Sequence, residues 1–512
     1  MRKYIFTYMA CLVMLLFGFA ACSPESDAPD NGGGGNASKT CTLHFTLSPV
    51  SAGESGTRST SGPTWVEGSA DENMKSWIVV AVNATSTKVE AIAENKNVAK
   101  ANRTKDEVVL SGLKAGVQYD VYSFANLTLA DLGNPKVGKE QPNASDGGFG
   151  MASFAVAGND FDVKTKGIPM SNSRSIIISE DGKKAYDESN AVEVKDLWTV
   201  RMLSKITLKF KNLTNKDITV NSVSISDITS NPSSGAKNIY LLPSVAHPEG
   251  NAAVTRPALS ADAVQEEFTH QITSGSGENQ PHGITIPANT ANYDASDDGE
   301  HSVTFYVNES KAGKQYPYFV VTLNTNIGDQ RYFMYTDWNQ ICRNDHHVLK
   351  MALSDYKLRL KVEGYSAIGM LPSLEDDGKQ LNLTFHMPDD EFHIIPEVTK
   401  YSDTSNTPVA FTDVKWEKLS ESETDAETKA FSTIPKLDTR TGYIEGTMLG
   451  ELGKNIGPVV YQLSVKVNDG TADAPTLVYR VAINQDLSWY TSSARKHFST
   501  FNNIERKFYR YE

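Results

Sequence analysis

The stretch 197-LWTVRMLSKITLKFKNLTNKDITVNSVSI-225 carries the strongest secondary-structure signal in the chain. Trp198, Val200 and Met202, then Ile206, Leu208 and Phe210, recur at every second residue. That is the period of a strand, whose side chains point alternately to opposite faces of a sheet. Ile218, Val220, Val223 and Ile225 continue after Asn215-Lys216-Asp217, a turn composition. A run of this length belongs to more than one strand, and we place a domain junction near Ser204.

Working outward, 512 residues exceed what one compact core can organise, since single cores stop growing near roughly 250 to 300 residues and the length prior is about three domains. Thr, Ser, Val, Asn and Gly fall in short alternating runs and long helical periods are hard to find, which favours all-β modules over an α/β enzyme. Lys and Arg against Asp and Glu give 49 − 62 = −13, with 22% charged and 39% hydrophobic residues. Such a balance is globular and argues against nucleic acid as a partner.

The sequence divides into five parts: 1–21 a lipoprotein signal peptide, 22–39 a flexible tether, 40–204 a first β-sandwich, 205–354 a second, and 355–512 a third, C-terminal one. Arg2 and Lys3 lead an apolar stretch to Phe17, and Ala20-Ala21-Cys22 closes it with small residues. That is the layout of a secretory signal, too short for a comfortable membrane span. Ala20 and Ala21 before Cys22 resemble a bacterial lipobox, although Phe19 stands where such motifs usually carry Leu. A lipobox implies acylation of Cys22, and acyl chains contribute about 0.8 kcal/mol per buried methylene, enough to anchor an otherwise soluble chain. The Gly-rich acidic stretch behind it cannot bury enough surface to order itself.

Thr40 to Leu47 alternates strictly, with Cys41, Leu43, Phe45 and Leu47 on one face and Thr42, His44 and Thr46 on the other. This is a strand with one buried side. After it runs a small-residue loop whose single basic residue, Arg58, is a candidate site for a trypsin-like cut. Further strands are expected at Trp77–Val82, Val108–Leu110 and Tyr119–Ala125, with Gly112 to Gly116 as the turn joining the last two. In the second part, Ser230 to Gln280 and Asn289 to His301 read as loops, and Val303–Val307, Tyr318–Leu323 and His347–Leu353 as strands. In the third, Tyr356, Leu358, Leu360 and Val362 alternate, and Tyr461, Leu463, Val465 and Val467 are answered by Leu477, Tyr479, Val481 and Ile483. Such pairs point to an immunoglobulin-like β-sandwich. Glu417 to Glu427 is acidic and Ser-rich and reads as a solvated loop.

No catalytic constellation stands out and no cofactor is expected. Gly133 to Glu140 copies phosphate-loop spacing, but Glu140 replaces the hydroxyl residue that would hold magnesium and Pro135 denies it a helix. His346 and His347 are adjacent, so on a strand they face opposite ways and cannot share a metal. Glu375, Asp376 and Asp377 beside Gly378 read as a turn rather than a catalytic pair. Trp416 suits an inward strand position, whereas Trp489 and Tyr490, beyond the last strand pattern, suit either packing or stacking against a sugar ring. Cys41 and Cys342 can pair in an oxidising compartment or remain two separate buried thiols.

Taken in order, several of these segments resemble the fimbrillin superfamily of Bacteroidetes, the subunits of type V pili. They are the lipobox at Cys22, the first strand followed by Arg58, Trp77 to Val82, Ala115 to Asn126, Gly167-Ile168-Pro169-Met170, Arg201 to Ile206, Phe305 to Ser310 and Ile341 to His347. Residues 355–512 carry no part of that pattern. Glu25, Asp27 and Asp30 likewise resemble the surface-export signals of Bacteroidetes lipoproteins, and fit a solvated linker equally well.

The resemblance implies two tandem transthyretin-like β-sandwiches made as an outer-membrane lipoprotein. An Arg-specific protease cuts after the first strand, and a strand from another pilus subunit replaces it. The role it implies is a structural or adhesive pilus subunit, most readily the tip, with other subunits and a surface glycan or protein as partners. A base anchor that keeps its lipid and a glycan-binding surface lipoprotein are the alternatives. The C-terminal Phe498 to Glu512 is basic and aromatic without clean alternation, which weakens a shaft role.

Overall fold

The structure, a computed structural model, describes residues 40–50, 72–142, 149, 151–152, 166–188, 192–230, 239–243, 257–261, 263–272, 283–295, 299–313, 316–336, 339–367, 371–376, 380–419, 422, 424–449, 455–470, 474–488 and 506–511. The chain is all-β. Among the described residues the first group of strands is β1 (Thr40–Pro49), β2 (Trp77–Asn83), β3 (Val89–Asn95), β4 (Asp106–Lys114), β5 (Gln118–Ala125), β6 (Met151–Ala152), β7 (Met170–Ile178), β8 (Ala185–Asp187) and β9 (Asp196–Arg201). All but β6 follow the order β3-β2-β5-β7-β9-β1-β4, with β8 on β7. Two layers arise because β9 changes partners along its length. Asp196–Thr199 run parallel to β1, whereas Val200 and Arg201 pair with β7.

Leu43, Phe45 and Leu47 of β1 and Val108 and Leu110 of β4 meet Val79 and Ala81 of β2 and Tyr119 and Val121 of β5 in one core. Beyond that core, Ile78, Val80 and Phe124 pack with Phe149, Met202, Ile239 and Leu241. Burial on both faces explains why β2 is a continuous apolar run while β1 alternates.

The second group is β10 (Leu203–Asn212), β11 (Ile218–Thr229), β12 (Ile239–Tyr240), β13 (Gln265–Gln271), β14 (Ile284–Ile286), β15 (Ser302–Asn308), β16 (Ser310–Lys311), β17 (Phe319–Thr325), β18 (Gln330–Met334), β19 (Gln340–Ile341) and β20 (His346–Leu353). One sheet is β15-β10-β20 and the other β13-β11-β17-β18, with β14 on β11, while β16 pairs with β19 and β12 with β6 of the first group. Ile206, Leu208 and Phe210 from the first sheet pack against Val220, Val223, Ile225, Val321 and Leu323 from the second. Asn215-Lys216-Asp217 therefore does not close a hairpin: it carries the chain from one sheet to the other. The buried Asn212 shapes that crossing by donating to the carbonyls of Lys216 and Ile286 at 2.8 and 3.0 Å.

The third group is β21 (Tyr356–Ala367), β22 (Ser373–Asp376), β23 (Leu381–Phe385), β24 (Glu391–Lys400), β25 (Phe411–Lys418), the short helix α1 (Ala426–Ala430), β26 (Phe431–Asp438), β27 (Tyr443–Met448), β28 (Asn455–Val467), β29 (Thr476–Asp486) and β30 (Arg506–Tyr511). Its sheets are β26-β27-β24-β21-β30 and β22-β23-β29-β28-β25. Tyr461, Leu463 and Val465 of β28 stand opposite Val481, Tyr479 and Leu477 of β29. Trp416 stacks on Tyr461 with ring centroids 4.5 Å apart and donates to the Pro435 carbonyl, which makes it a packing residue.

Several sequence expectations change here. Gly112 is not in the turn: β4 runs on to Lys114, Cys41 faces Leu113, Thr42 faces Ser111, and Gly112 sits in the bulge between them at φ 86°. An extra residue in a strand needs such a left-handed backbone, which glycine adopts without strain. The stretch Ser230–Gln280 contains β13, paired with β11. The acidic 417–427 segment ends in α1, whose Ala426 and Ala430 are buried and whose Glu427 accepts a 2.7 Å bond from the Tyr461 hydroxyl. Burial, reinforced by that carboxylate, holds the Tyr461 hydroxyl far above its ordinary range. Glu375 and Asp376 lie on β22, paired with Asn382 and Leu381, rather than in a turn. Arg506–Tyr511 form β30, paired with β21, although their sequence lacks alternation.

Candidate functional site: the first strand and the junction behind it

β1 lies in the interior of its sheet, antiparallel to β4 from Thr40 to Leu47 and parallel to β9 from Thr46 to Pro49. Leu43, Phe45 and Leu47 are buried, and Cys41 packs at the margin of the same core. The other face of β1 meets solvent. There His44 Nδ1 lies 2.7 Å from Glu107, and Thr42 donates to Ser111 at 3.2 Å. Burying Leu43, Phe45 and Leu47 contributes roughly 5 to 9 kcal/mol, at about 1.5 to 3 for each. Withdrawn from the sheet, such a strand would leave an apolar slot flanked by the unpaired backbones of β4 and β9.

Cys41 and Cys342 are both free thiols, so no disulfide ties β1 to the second group of strands. Burial pushes the Cys41 thiol up, which keeps it protonated and poorly nucleophilic. Beyond β1 the chain reaches Val50, which packs on Val200 and Trp198 and bonds through its N–H to the Thr199 carbonyl at 2.8 Å.

Behind β1 the chain builds a buried polar junction. Arg201, fully buried, donates to the carbonyls of Val50 and Glu72 at 3.0 and 3.1 Å and to the side chains of Asn73 and Asn344 at 2.8 and 3.3 Å. Lys205 of β10 pairs with Glu72 at 2.9 Å, both side chains 2% exposed, and Tyr306 of β15 donates to the same carboxylate at 2.6 Å. A second buried pair, Arg343 with Glu309, also donates to the carbonyls of Tyr240 and Leu241. Asn126, at φ 58°, accepts from the Lys75 N–H at 2.7 Å and donates to the Ile168 carbonyl at 2.7 Å. It lies against Gly167, where an added Cβ would stand 2.5 Å from its amide. Buried charges persist only where each is paired and hydrogen-bonded, and loss of one partner costs several kcal/mol.

The segments singled out in the sequence therefore meet around one junction: Asn126 with Gly167-Ile168, Arg201 with Asn344, Lys205 with Tyr306, and Glu309 with Arg343. Sequence reasoning missed Glu72 and the pairing of these charges. The available signal was Arg201 and Lys205 lying inside an otherwise apolar strand pattern, where a charge requires a partner.

Cys22, Arg58, Trp489 and Tyr490 lie outside the described residues. His346 bonds to the Thr207 hydroxyl at 3.0 Å while His347 lies 3.8 Å from Asp345. Gly133 to Glu140 is a loop docked on β3, with the Gly138 N–H bonded to the Val89 carbonyl at 2.8 Å. Among the described residues no group of three His, Cys, Asp or Glu side chains is placed to hold a metal ion, and no helix is long and apolar enough to cross a membrane.

No protein-family model matches the chain, and no curated protein matches it. Solved structures do. The tip fimbrial protein Mfa3 of Porphyromonas gingivalis aligns at 11% identity and a TM-score of 0.37, over 62% of this chain and 96% of that one. A candidate cell adhesion protein from Parabacteroides distasonis aligns at 12% identity and 0.32, over 62% of this chain and 87% of that one. Another from Bacteroides eggerthii aligns at 13% and 0.31, over 62% and 88%. Likenesses this distant carry no function over to the chain.

Proposed function

We propose that this chain is a cell-surface, lipid-processed subunit of a fimbrillin-type pilus, assembled by strand exchange. In this reading residues 1–21 direct export, Cys22 takes lipid, and 22–39 form the tether. The sandwiches 40–204 and 205–354 serve assembly. Residues 355–512 are an adhesive or accessory head, as suits a tip subunit. Cleavage behind Arg58 would release residues 22–58 with the lipid, and a strand from a neighbouring subunit would enter between β4 and β9. The observation that carries the reading is β1 itself, buried on one face, solvated on the other, and seated between two strands that would both be left open. Support for a tip rather than a shaft position comes from Arg506–Tyr511, which are hydrogen-bonded within their own sheet and so are not a free donor tail.

The refilling of such a slot is driven by apolar burial and backbone pairing and needs no nucleotide hydrolysis. The test is to treat the purified full chain with an Arg-specific protease and follow its size by light scattering. The wild type should polymerise, alone or with a donor subunit, and Arg58→Ala should remain monomeric. Equal polymerisation of the two would sink the role of Arg58.

A further inference from the structure

A cleft of about 1040 Å³ opens between the second and third sandwiches. Its walls are basic in an otherwise acidic protein: Lys211, Arg331, Lys350, Lys357, Arg359 and Arg480 line it against Asp329 and Asp376. Arg331 is paired with Asp376 at 3.0 Å. Arg480 lies 4.1 Å from the centre of the Tyr318 ring and donates to the Tyr335 hydroxyl at 2.6 Å. These two contacts tie the sandwiches together and fix the width of the cleft.

The remaining cations are held differently. Lys211 and Lys350 both sit over the Tyr293 ring, at 5.2 and 5.8 Å, and Lys357 sits over Tyr401 at 5.6 Å. Lys211, Lys350, Lys357 and Arg359 make no ion pair among the described residues. An aromatic face steadies an ammonium through its quadrupole without cancelling its charge, as a carboxylate would. With Asp376 taken by Arg331, the cleft presents ordered positive charge in excess of its one remaining carboxylate, Asp329, and field lines concentrate in such a low-dielectric groove.

Around these cations stand groups that read hydroxyls: the tyrosines 332, 356, 401 and 479 and the amides of Asn406 and Gln462. Burial pushes the hydroxyls of all four tyrosines up, Tyr356 and Tyr479 to about 12, so each stays neutral; Tyr332, Tyr356 and Tyr479 donate to Ala352, Asp469 and Asp376, which leaves their oxygens to accept from a sugar hydroxyl. The ammonium groups occupy one face of the Tyr293 and Tyr401 rings, the platform on which a nucleobase would stack.

We infer that this cleft is a binding site for an acidic oligosaccharide, whose carboxylate or sulfate groups meet Lys211, Lys350 and Lys357 while tyrosine and amide groups bond its hydroxyls. The inference gives the adhesive part of the proposed role a ligand class. It uses no residue of the exchangeable strand, so it can fail while the assembly reading succeeds, and the reverse.

The test is fluorescence anisotropy on the full chain with a labelled heparin-derived octasaccharide, an oligogalacturonate of similar length, a neutral dextran oligosaccharide and single-stranded oligo(dT). Binding of the sulfated probe, the carboxylated probe or both is expected, weakening as salt is raised. Affinity should fall at least tenfold in the double variant Lys211→Gln/Lys350→Gln, and separately in Lys357→Gln on the other wall, with unchanged thermal melting. Binding of neither acidic probe, equal affinity for dextran or oligo(dT), or undiminished affinity in both variants would overturn the assignment.

Discussion

β1 and β10 each open a sandwich, and each lies between an antiparallel neighbour and a parallel closing strand: β4 and β9 for one, β15 and β20 for the other. They differ in how they are held. β1 has one buried face, and its parallel pairing covers only Thr46–Pro49. β10 is buried on both faces and pairs with β20 along Lys205–Asn212. Its second face is polar yet enclosed: Lys205 on Glu72, Thr207 on His346, and Lys209 on the Ala295 carbonyl at 3.0 Å. The same position in two related layouts is thus held by one buried face in β1 and by both faces in β10. What separates them is whether the outward face is solvated or locked into buried pairs.

That contrast can be broken most sharply at the locked face. Lys205→Met should strand the Glu72 carboxylate and lower the unfolding free energy by about 3 to 5 kcal/mol, measured by chemical denaturation. A loss below about 1 kcal/mol would mean that the pair does not hold β10. On the apolar face of β1, Leu47→Ala should cost about 2 to 4 kcal/mol by the same measurement. It should also speed the loss of the 22–58 fragment after protease treatment, and unchanged release would separate core packing from retention of β1.

Thiol chemistry gives a smaller readout. The Cys41 thiol is raised above its ordinary value by burial, so at a given pH less thiolate is present than in a free cysteine. Alkylation of Cys41 in a Cys342→Ser chain should therefore lag behind a model thiol at pH 8 and gain with rising pH. It should approach the model rate once the strand has left; equal rates before and after would contradict a seated strand. The smallest effect belongs to the solvated face: His44→Ala should leave the melting temperature unchanged, because an exposed pair is screened and contributes little.

Much of the sheet structure was legible because alternation is a local property. Leu43, Phe45 and Leu47, and the facing pairs of β28 and β29, needed only the two-residue period. Other features depend on partners distant in sequence. β13 carries Gln-Glu-Glu-Phe-Thr-His-Gln, a polar run that becomes a strand because β11 supplies its hydrogen bonds. The crossing at Asn215–Asp217 reads only as a turn, because composition reports a reversal of the chain without saying which sheet receives it. The junction charges were visible one by one, but Glu72 meets Lys205 only in the folded chain. The basic cleft is built from strands of two sandwiches and left no local pattern to find.

The exchange of β1 can be tested directly with a synthetic peptide spanning residues 40–50. Added in excess to the Arg-cleaved protein, it should compete for the slot between β4 and β9 and suppress growth of polymer, while the same peptide carrying Phe45→Asp should leave growth unaffected. If the native peptide neither binds nor slows assembly, the slot is not where subunits join and the account fails.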